Sequence, residues 1–333
     1  MDHQRSEQAP LIHGVLADVE PQAVFDASGK DIASSSSLLP EMQLSKVDSI
    51  SPDNFGAHSK ELRHLGSIYT PREIADYLVA WAIQKHTTSV MDLGVGNGVF
   101  VWSAYDRLRS LGAPPPQAQE QIYGAEVYEP AYWDFVRSAN EQQVAFPNIV
   151  NADFLSHEFP KVDAIIGNPP YVRRQYIDDI ERVRQSVYEK HPETAEKLSR
   201  MSDLYVYFLL RAAHFLKEGG RLSVVVADAW MGVNYGKVLK DFLTQYFEID
   251  RIISFDRRIF NVDVKPVILM ATKRSIARKQ VVEFIRVKNG LSIDFLDNSS
   301  DVLERHRDIN VKRIPQDTLN TKQIWHTDLC IES

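Results

Sequence analysis

The 333-residue sequence is poor in groups that cross-link a chain or coordinate a metal. Its one cysteine, Cys330, cannot form an internal disulfide, and there is no Cys-x-x-Cys pair or His-Glu-x-x-His helix to supply zinc ligands. A reducing, cytoplasmic setting and chemistry without a metal are therefore expected. The N-terminus lacks a basic segment followed by an apolar core, and no apolar run approaches the roughly 20 residues that a membrane helix needs. No membrane role is expected. Net positive charge is also missing: the total is −7, which argues against a nucleic-acid binder until it is resolved along the chain. Residues 1–60 hold nine acids against four bases, whereas residues 251–288 hold ten bases against three acids. That leaves open a local basic face or a set of solvated cations on strand edges.

What is present suits one large α/β domain with appendages, at 44% hydrophobic and 25% charged residues. Residues 1–60 show no sustained periodicity and contain the run Ser34–Ser37, so they read as a disordered acidic extension. A folded domain is expected over 61–290, with 291–333 as a C-terminal extension. "YTPREIADYLVAWAIQ" predicts a helix with Thr70 as N-cap, Pro71 in the first helical position and Glu73 closing a capping box. Seven short apolar runs follow, at 89–93, 122–128, 147–152, 162–168, 221–227, 249–255 and 265–272. They alternate with helical patterns such as 203–217, which Gly219-Gly220 would stop. Near-continuous apolar strands separated by helices predict a Rossmann-like, seven-stranded, mostly parallel α/β sheet with helices on both faces. Only about ten residues join the last two runs, too few for a helical crossover, so the last strand should be antiparallel.

In such sheets ligands bind beyond the carboxyl ends of the strands, and those ends carry distinctive residues. Asp92 closes the first run, and Gly94, Gly96 and Gly98 occupy the turn after it. The dinucleotide spacing G-x-G-x-x-G would need glycine where Val99 stands, so the turn permits close approach of a ligand without specifying that fingerprint. Glu126, after the second run, could take both hydroxyls of a ribose or be merely solvated. Asp153 and Phe154, after the third, could accept from an adenine amine and stack on its ring. Together they point to an adenosine-containing ligand. The fourth run ends in Asn168, Pro169, Pro170 and Tyr171. The prolines have no amide hydrogen and hold φ near −65°, so this segment is either a strand terminator or a rigid rack of acceptors.

These motifs resemble the class I S-adenosylmethionine-dependent methyltransferases, and among them the amino-group DNA methyltransferases of the gamma, TaqI-like, N6-adenine group. "GSIYTP", "DLGVGNG", "GAEVYEP", "NADFL" and "NPPY" are similar to that family's motifs and stand in its order, between about residue 64 and residue 275. The resemblance implies S-adenosylmethionine as cofactor, with Tyr69 and Thr70 at its methionine carboxylate and Asp92 near its amino-acid end. Gly94, Gly96 and Gly98 would border it, Glu126 would hold its ribose, and Asp153 with Phe154 its adenine. It also implies that Asn168 and the Pro169 carbonyl accept hydrogen bonds from the N6 amine of an adenine flipped out of double-stranded DNA, which Tyr171 and Phe260 would stack upon. By position alone, Arg173 and Arg174 are candidates for phosphate contact. The segment 173–200, with seven bases and six acids, reads as a mobile helical insertion over the site or as a solvated helix pair. About 60 residues follow residue 273, short of the family's usual target-recognition domain, so a separate specificity or restriction subunit is an expected partner. Protein glutamine methylation, and a cofactor- and DNA-binding subunit silent without its partner, are the alternatives.

Overall fold

In the computed structural model, which describes residues 70–177, 179–232, 236–256, 265–274, 280–288 and 293–325, all seven apolar runs are strands. They are β1 (Val90–Asp92), β2 (Ile122–Glu126), β3 (Asn148–Asn151), β4 (Val162–Gly167), β5 (Leu216–Ala227), β6 (Phe247–Phe255) and β7 (Pro266–Lys273). Two more strands complete a nine-stranded sheet, β8 (Val281–Val287) and β9 (Ile309–Pro315), in the order β3-β2-β1-β4-β5-β7-β6-β8-β9. The seventh strand is antiparallel, as its short connection requires, and it slots between β5 and β6. β6 and β8 are parallel, and β9 is antiparallel to β8. Burial of β9 is patchy, and its exposed Lys312 and Arg313 are the kind of residues that guard a free sheet edge.

Helices α1 (Arg72–Ala82), α2 (Val99–Ser110) and α3 (Glu129–Glu141) cover one face, and α6 (Leu204–Phe215) and α7 (Gly236–Tyr246) cover the other. Alternation along β5 shows why both faces need cover: Val224 and Val226 enter one core, and Val225 enters the opposite one. Between β4 and α6 lie α4 (Ile180–Tyr188) and α5 (Pro192–Lys197). This segment is neither a detached flap nor a solvated pair, because Ile180, Val183, Val187, Ala195 and Leu198 are buried in the core under α6. Among the described residues no helix is long and apolar enough to cross a membrane.

Two local expectations are corrected. Thr70 is not the N-cap of α1: Pro71 holds that position with φ −57° and ψ 143°, and its carbonyl accepts from the amides of Ile74 and Ala75 with no side-chain cap. Starting the helix one residue later frees the Thr70 hydroxyl for another partner. Nor do Gly219 and Gly220 stop a helix. α6 ends at Phe215 and passes directly into β5, and a Cβ on Gly220 would lie 2.9 Å from the Asp163 carbonyl oxygen, beside the irregularity where the β4–β5 register shifts. Glycine here admits a close backbone approach.

β1 has β2 on one side and β4 on the other, so the strand order reverses at β1. That reversal opens a crevice above the carboxyl ends of β1 and β4, the usual ligand position in open α/β sheets.

Candidate functional site

A cavity of about 690 Å³ fills that crevice, within the usual range for small-molecule and cofactor sites. Thr70, Gly94, Gly96, Glu126, Asp153 and Phe154 all reach its wall, as do Asn168 and Pro170. Gly94 and Asn168, 74 positions apart in sequence, thus meet because four parallel strands end together.

Glu126 is pinned at the end of β2 by two amides, with Gly96 donating to Oε2 and Tyr128 to Oε1, each at 2.8 Å. The glycine turn and the acid are thus one unit, the turn orienting the carboxylate toward the cavity. Gly96 has φ +51° and Gly98 φ +80°, values that L side chains resist. Gly98 itself starts α2 away from the cavity wall, and a Cβ there would overlap the Phe135 ring. Its role is packing.

Asp92 lies directly behind the wall formed by Leu93 and Gly94. It is fully buried: Oδ1 accepts from the Gly94 amide at 3.2 Å, and Oδ2 has no hydrogen-bond partner among the described residues. Burial pushes its carboxyl up to about 8, against the Gly94 hydrogen bond and with help from the Glu126 charge. The folded protein therefore keeps this proton in a range where the unfolded chain, titrating near 3.8, has lost it. The native state binds more protons between pH about 4 and about 8, so this group's contribution to stability falls as pH rises through that window. Asp92→Asn, neutral throughout, should remove that fall. Melting temperatures of the ligand-free proteins should diverge in favour of the variant from pH 5 to pH 8.5, and parallel curves would refute the assignment.

Phe154 is buried and stacks on Phe208, with ring centroids 5.1 Å apart and planes at 18°, so its exposed edge meets the cavity as part of a fixed aromatic layer. The side chain of Asp153 has both oxygens engaged: Oδ1 accepts from the Leu155 amide at 2.9 Å, and Oδ2 pairs with Arg182 of α4. Arg182, Gln175 and Ile177 bring the segment after β4 onto the wall. They fall in the segment 173–200 that the sequence reads as an insertion over the site or a solvated pair, but no sequence signal singled out these three residues.

The end of β4 is shaped by Gly167, whose φ is +133° and where a Cβ would lie 2.7 Å from Asp92 Oδ1 and 2.9 Å from the Leu93 amide nitrogen. This close approach brings Asn168 against the start of α1, where its Nδ2 donates to Thr70 Oγ1 at 3.1 Å. Pro170 lines the cavity and Pro169 is buried beside it. Tyr171 is not on the wall. Its ring meets Tyr205 edge-on at 6.2 Å, its hydroxyl is buried without a hydrogen-bond partner among the described residues, and burial raises its pKa well above the usual 10. Arg173 is exposed, whereas Arg174 is half-buried, its amide donating to Asp203 Oδ1 at 3.2 Å. Tyr69 and Phe260 lie outside the described residues.

Among the described residues of the basic run 251–288, several cations are engaged within the protein. Arg251 pairs with Glu283 and donates to the Tyr77 hydroxyl, Arg286 pairs with Asp256, and Lys273 donates to the Ala213 and Leu216 carbonyls. Consecutive pairing of β6, β7 and β8 turns these cations toward one another's acids.

Comparison with known proteins assigns residues 122–260 to the family described as Eco57I restriction-modification methylase. The match covers the core of the sheet, from β2 through β6. It is 24% identical over 196 residues to the type II methyltransferase M.HincII of Haemophilus influenzae, covering 58% of this chain and 34% of that one. It is 31% identical over 222 residues to the type II methyltransferase M.BstVI of Geobacillus stearothermophilus, covering 58% and 38%. The chain thus spans little more than a third of the length of these two relatives. A methyltransferase subunit of a type I restriction-modification system from Streptococcus thermophilus has the same fold, with a TM-score of 0.54 and 20% identity over 74% of this chain and 56% of that one. The cofactor of this class is S-adenosylmethionine. The site has room for it: the cavity is large enough, and the carboxylate of Glu126, held by two amides, and the aromatic layer of Phe154 stand on its wall.

Proposed function

We propose that the protein transfers the methyl group of S-adenosylmethionine to the exocyclic N6 amine of an adenine flipped out of double-stranded DNA. The observation that carries this reading is Asn168, anchored to Thr70 on the wall of the cavity with Pro170 beside it. The bound cofactor would supply an electrophilic methyl on a sulfonium centre. Glu126 would hold its ribose, and Asp153 and Phe154 its adenine.

An exocyclic amine is a poor nucleophile because its lone pair is delocalised into the ring. Two fixed acceptors, the Asn168 side-chain oxygen and the Pro169 carbonyl, would draw its hydrogens out of that plane and stabilise the positive charge that develops on nitrogen. Holding the nitrogen in line with the methyl supplies the orientation term. The target atom is hidden in duplex DNA, so the base must leave the stack at a cost of a few kcal/mol, and stacking on an aromatic of roughly 1–3 kcal/mol offsets much of this. Tyr171 and Phe260 are the proposed stacking residues, and Arg173 a proposed phosphate contact. We further propose a specificity or restriction subunit as a partner, as for the type I methyltransferase subunit whose fold this chain shares.

The test is methyl transfer from labelled S-adenosylmethionine to unmethylated genomic DNA, with the product digested and identified as a nucleoside. N6-methyladenine is the expected product. Cofactor binding without any methylated base would overturn autonomous activity, and N4-methylcytosine would overturn the choice of base.

A further inference from the structure

Asp153 is offered two partners by this site. In the reading above its carboxylate takes the adenine amine of the cofactor, yet in the structure Oδ2 already holds Arg182 Nη1 at 2.5 Å while Oδ1 holds the Leu155 amide. Arg182 is on the first turn of α4, three residues past the N-cap Asp179, whose side chain accepts from the Arg182 amide at 3.0 Å. The guanidinium thus stands on the wall of the cavity beside the position where an adenine amine would donate.

We propose that Arg182 sets cofactor affinity by competing for Asp153: it occupies the adenine-amine position in the ligand-free protein and is displaced when the cofactor binds. The inference rests on the methyltransferase reading and adds a residue to it. The geometry makes displacement feasible. The Arg182 side chain is 55% exposed and that of Asp153 23%, so the guanidinium can move outward into water without becoming a buried unpaired charge. α4 need not move, because Val183 and Val187 anchor it in the core. The amine must replace an ion pair by a hydrogen bond from a neutral donor, which lowers cofactor affinity by whatever the ion pair contributes beyond that bond.

S-adenosylhomocysteine is a suitable probe because its sulfur is uncharged, which removes direct repulsion between a sulfonium and the guanidinium. Its affinity would be measured by titration calorimetry for the wild type, Arg182→Met, Asp153→Asn and the double variant. Methionine keeps the apolar stem. Arg182→Met should bind about three- to fivefold more tightly at low salt, the fold-change appropriate to an exposed ion pair. Wild-type affinity should rise toward the variant's as salt screens the pair, and Arg182→Met should change nothing in the Asp153→Asn background. Unchanged or weaker binding by Arg182→Met, with wild-type binding intact, would overturn this proposal alone. Absence of binding to every protein, the wild type included, would overturn the methyltransferase reading beneath it.

Discussion

Asn168→Ala is expected to lower methyl transfer by about 10²–10³-fold while cofactor affinity stays within about threefold, because a preorganised acceptor aimed at developing charge is worth that much in a catalytic site. The expectation depends on the acceptor being held still. A side-chain amide normally rotates, but here Nδ2 is tied to Thr70 Oγ1 at 3.1 Å, so its oxygen is confined to the other side. The supporting geometry is built in three pieces. Gly167 brings β4 within reach of the Asp92 carboxyl, Pro169 removes the amide that would compete for the acceptors, and the N-cap position of Pro71 leaves the Thr70 hydroxyl available. Thr70→Val should therefore reproduce part of the loss without touching the Asn168 oxygen. Single-turnover rates with labelled cofactor, beside calorimetric affinities for S-adenosylhomocysteine, separate the two effects. A loss below tenfold in Asn168→Ala would sink the acceptor mechanism.

Arg211→Met should cost about 3–5 kcal/mol of folding stability, because three backbone carbonyls lose their donor at about 1–3 kcal/mol each. Arg211 is 1% exposed in the middle of α6. Its Nε donates to the Phe154 carbonyl at 3.1 Å, Nη1 to the Ser186 carbonyl at 3.0 Å, and Nη2 to the His157 carbonyl at 2.9 Å and Glu158 Oε1 at 3.0 Å. One side chain thus ties the loop that carries Phe154 to the helix that carries Arg182. Methionine fills similar volume but leaves carbonyl oxygens buried without donors, each costing about 1–3 kcal/mol. Urea unfolding measures the effect, and the melting temperature should fall with it. Cofactor affinity should drop as well, since Phe154 loses its tether. A change under 1 kcal/mol would mean that water reaches those carbonyls and that the network is not a structural keystone.

The strands were legible because their apolar runs are long enough and bounded by turns, and the antiparallel seventh strand followed from a connection too short to cross over. β8 and β9 were not. "INVKRIP" has no strong period, because an edge strand buries only part of one side, and its pairing with β8 is decided by what remains open at the end of the sheet. The charge excess in 251–288 was visible, but pairing of Arg251 with Glu283 and Arg286 with Asp256 depends on strands being neighbours, which composition does not encode. Arg211 did leave a trace, as the sole arginine in the apolar helix "LYVYFLLRAAHF", although nothing local shows that it faces inward.

By itself the sequence determined the local chemistry: a glycine turn after β1, acids at the ends of β2 and β3, and an Asn-Pro-Pro segment whose rigidity is intrinsic to proline. Those properties survive in any context because they depend on covalent geometry and residue type. The tertiary structure decided the partners. That Thr70 holds Asn168 instead of capping a helix, that Asp92 is buried with its carboxyl pushed up to about 8, and that Arg182 sits on Asp153 all follow from strands and helices converging at the carboxyl ends of the strands. Burial, electrostatic shift and competition for a hydrogen bond are properties of neighbours in space, and these neighbours lie 98 and 29 residues apart in the Thr70–Asn168 and Asp153–Arg182 pairs.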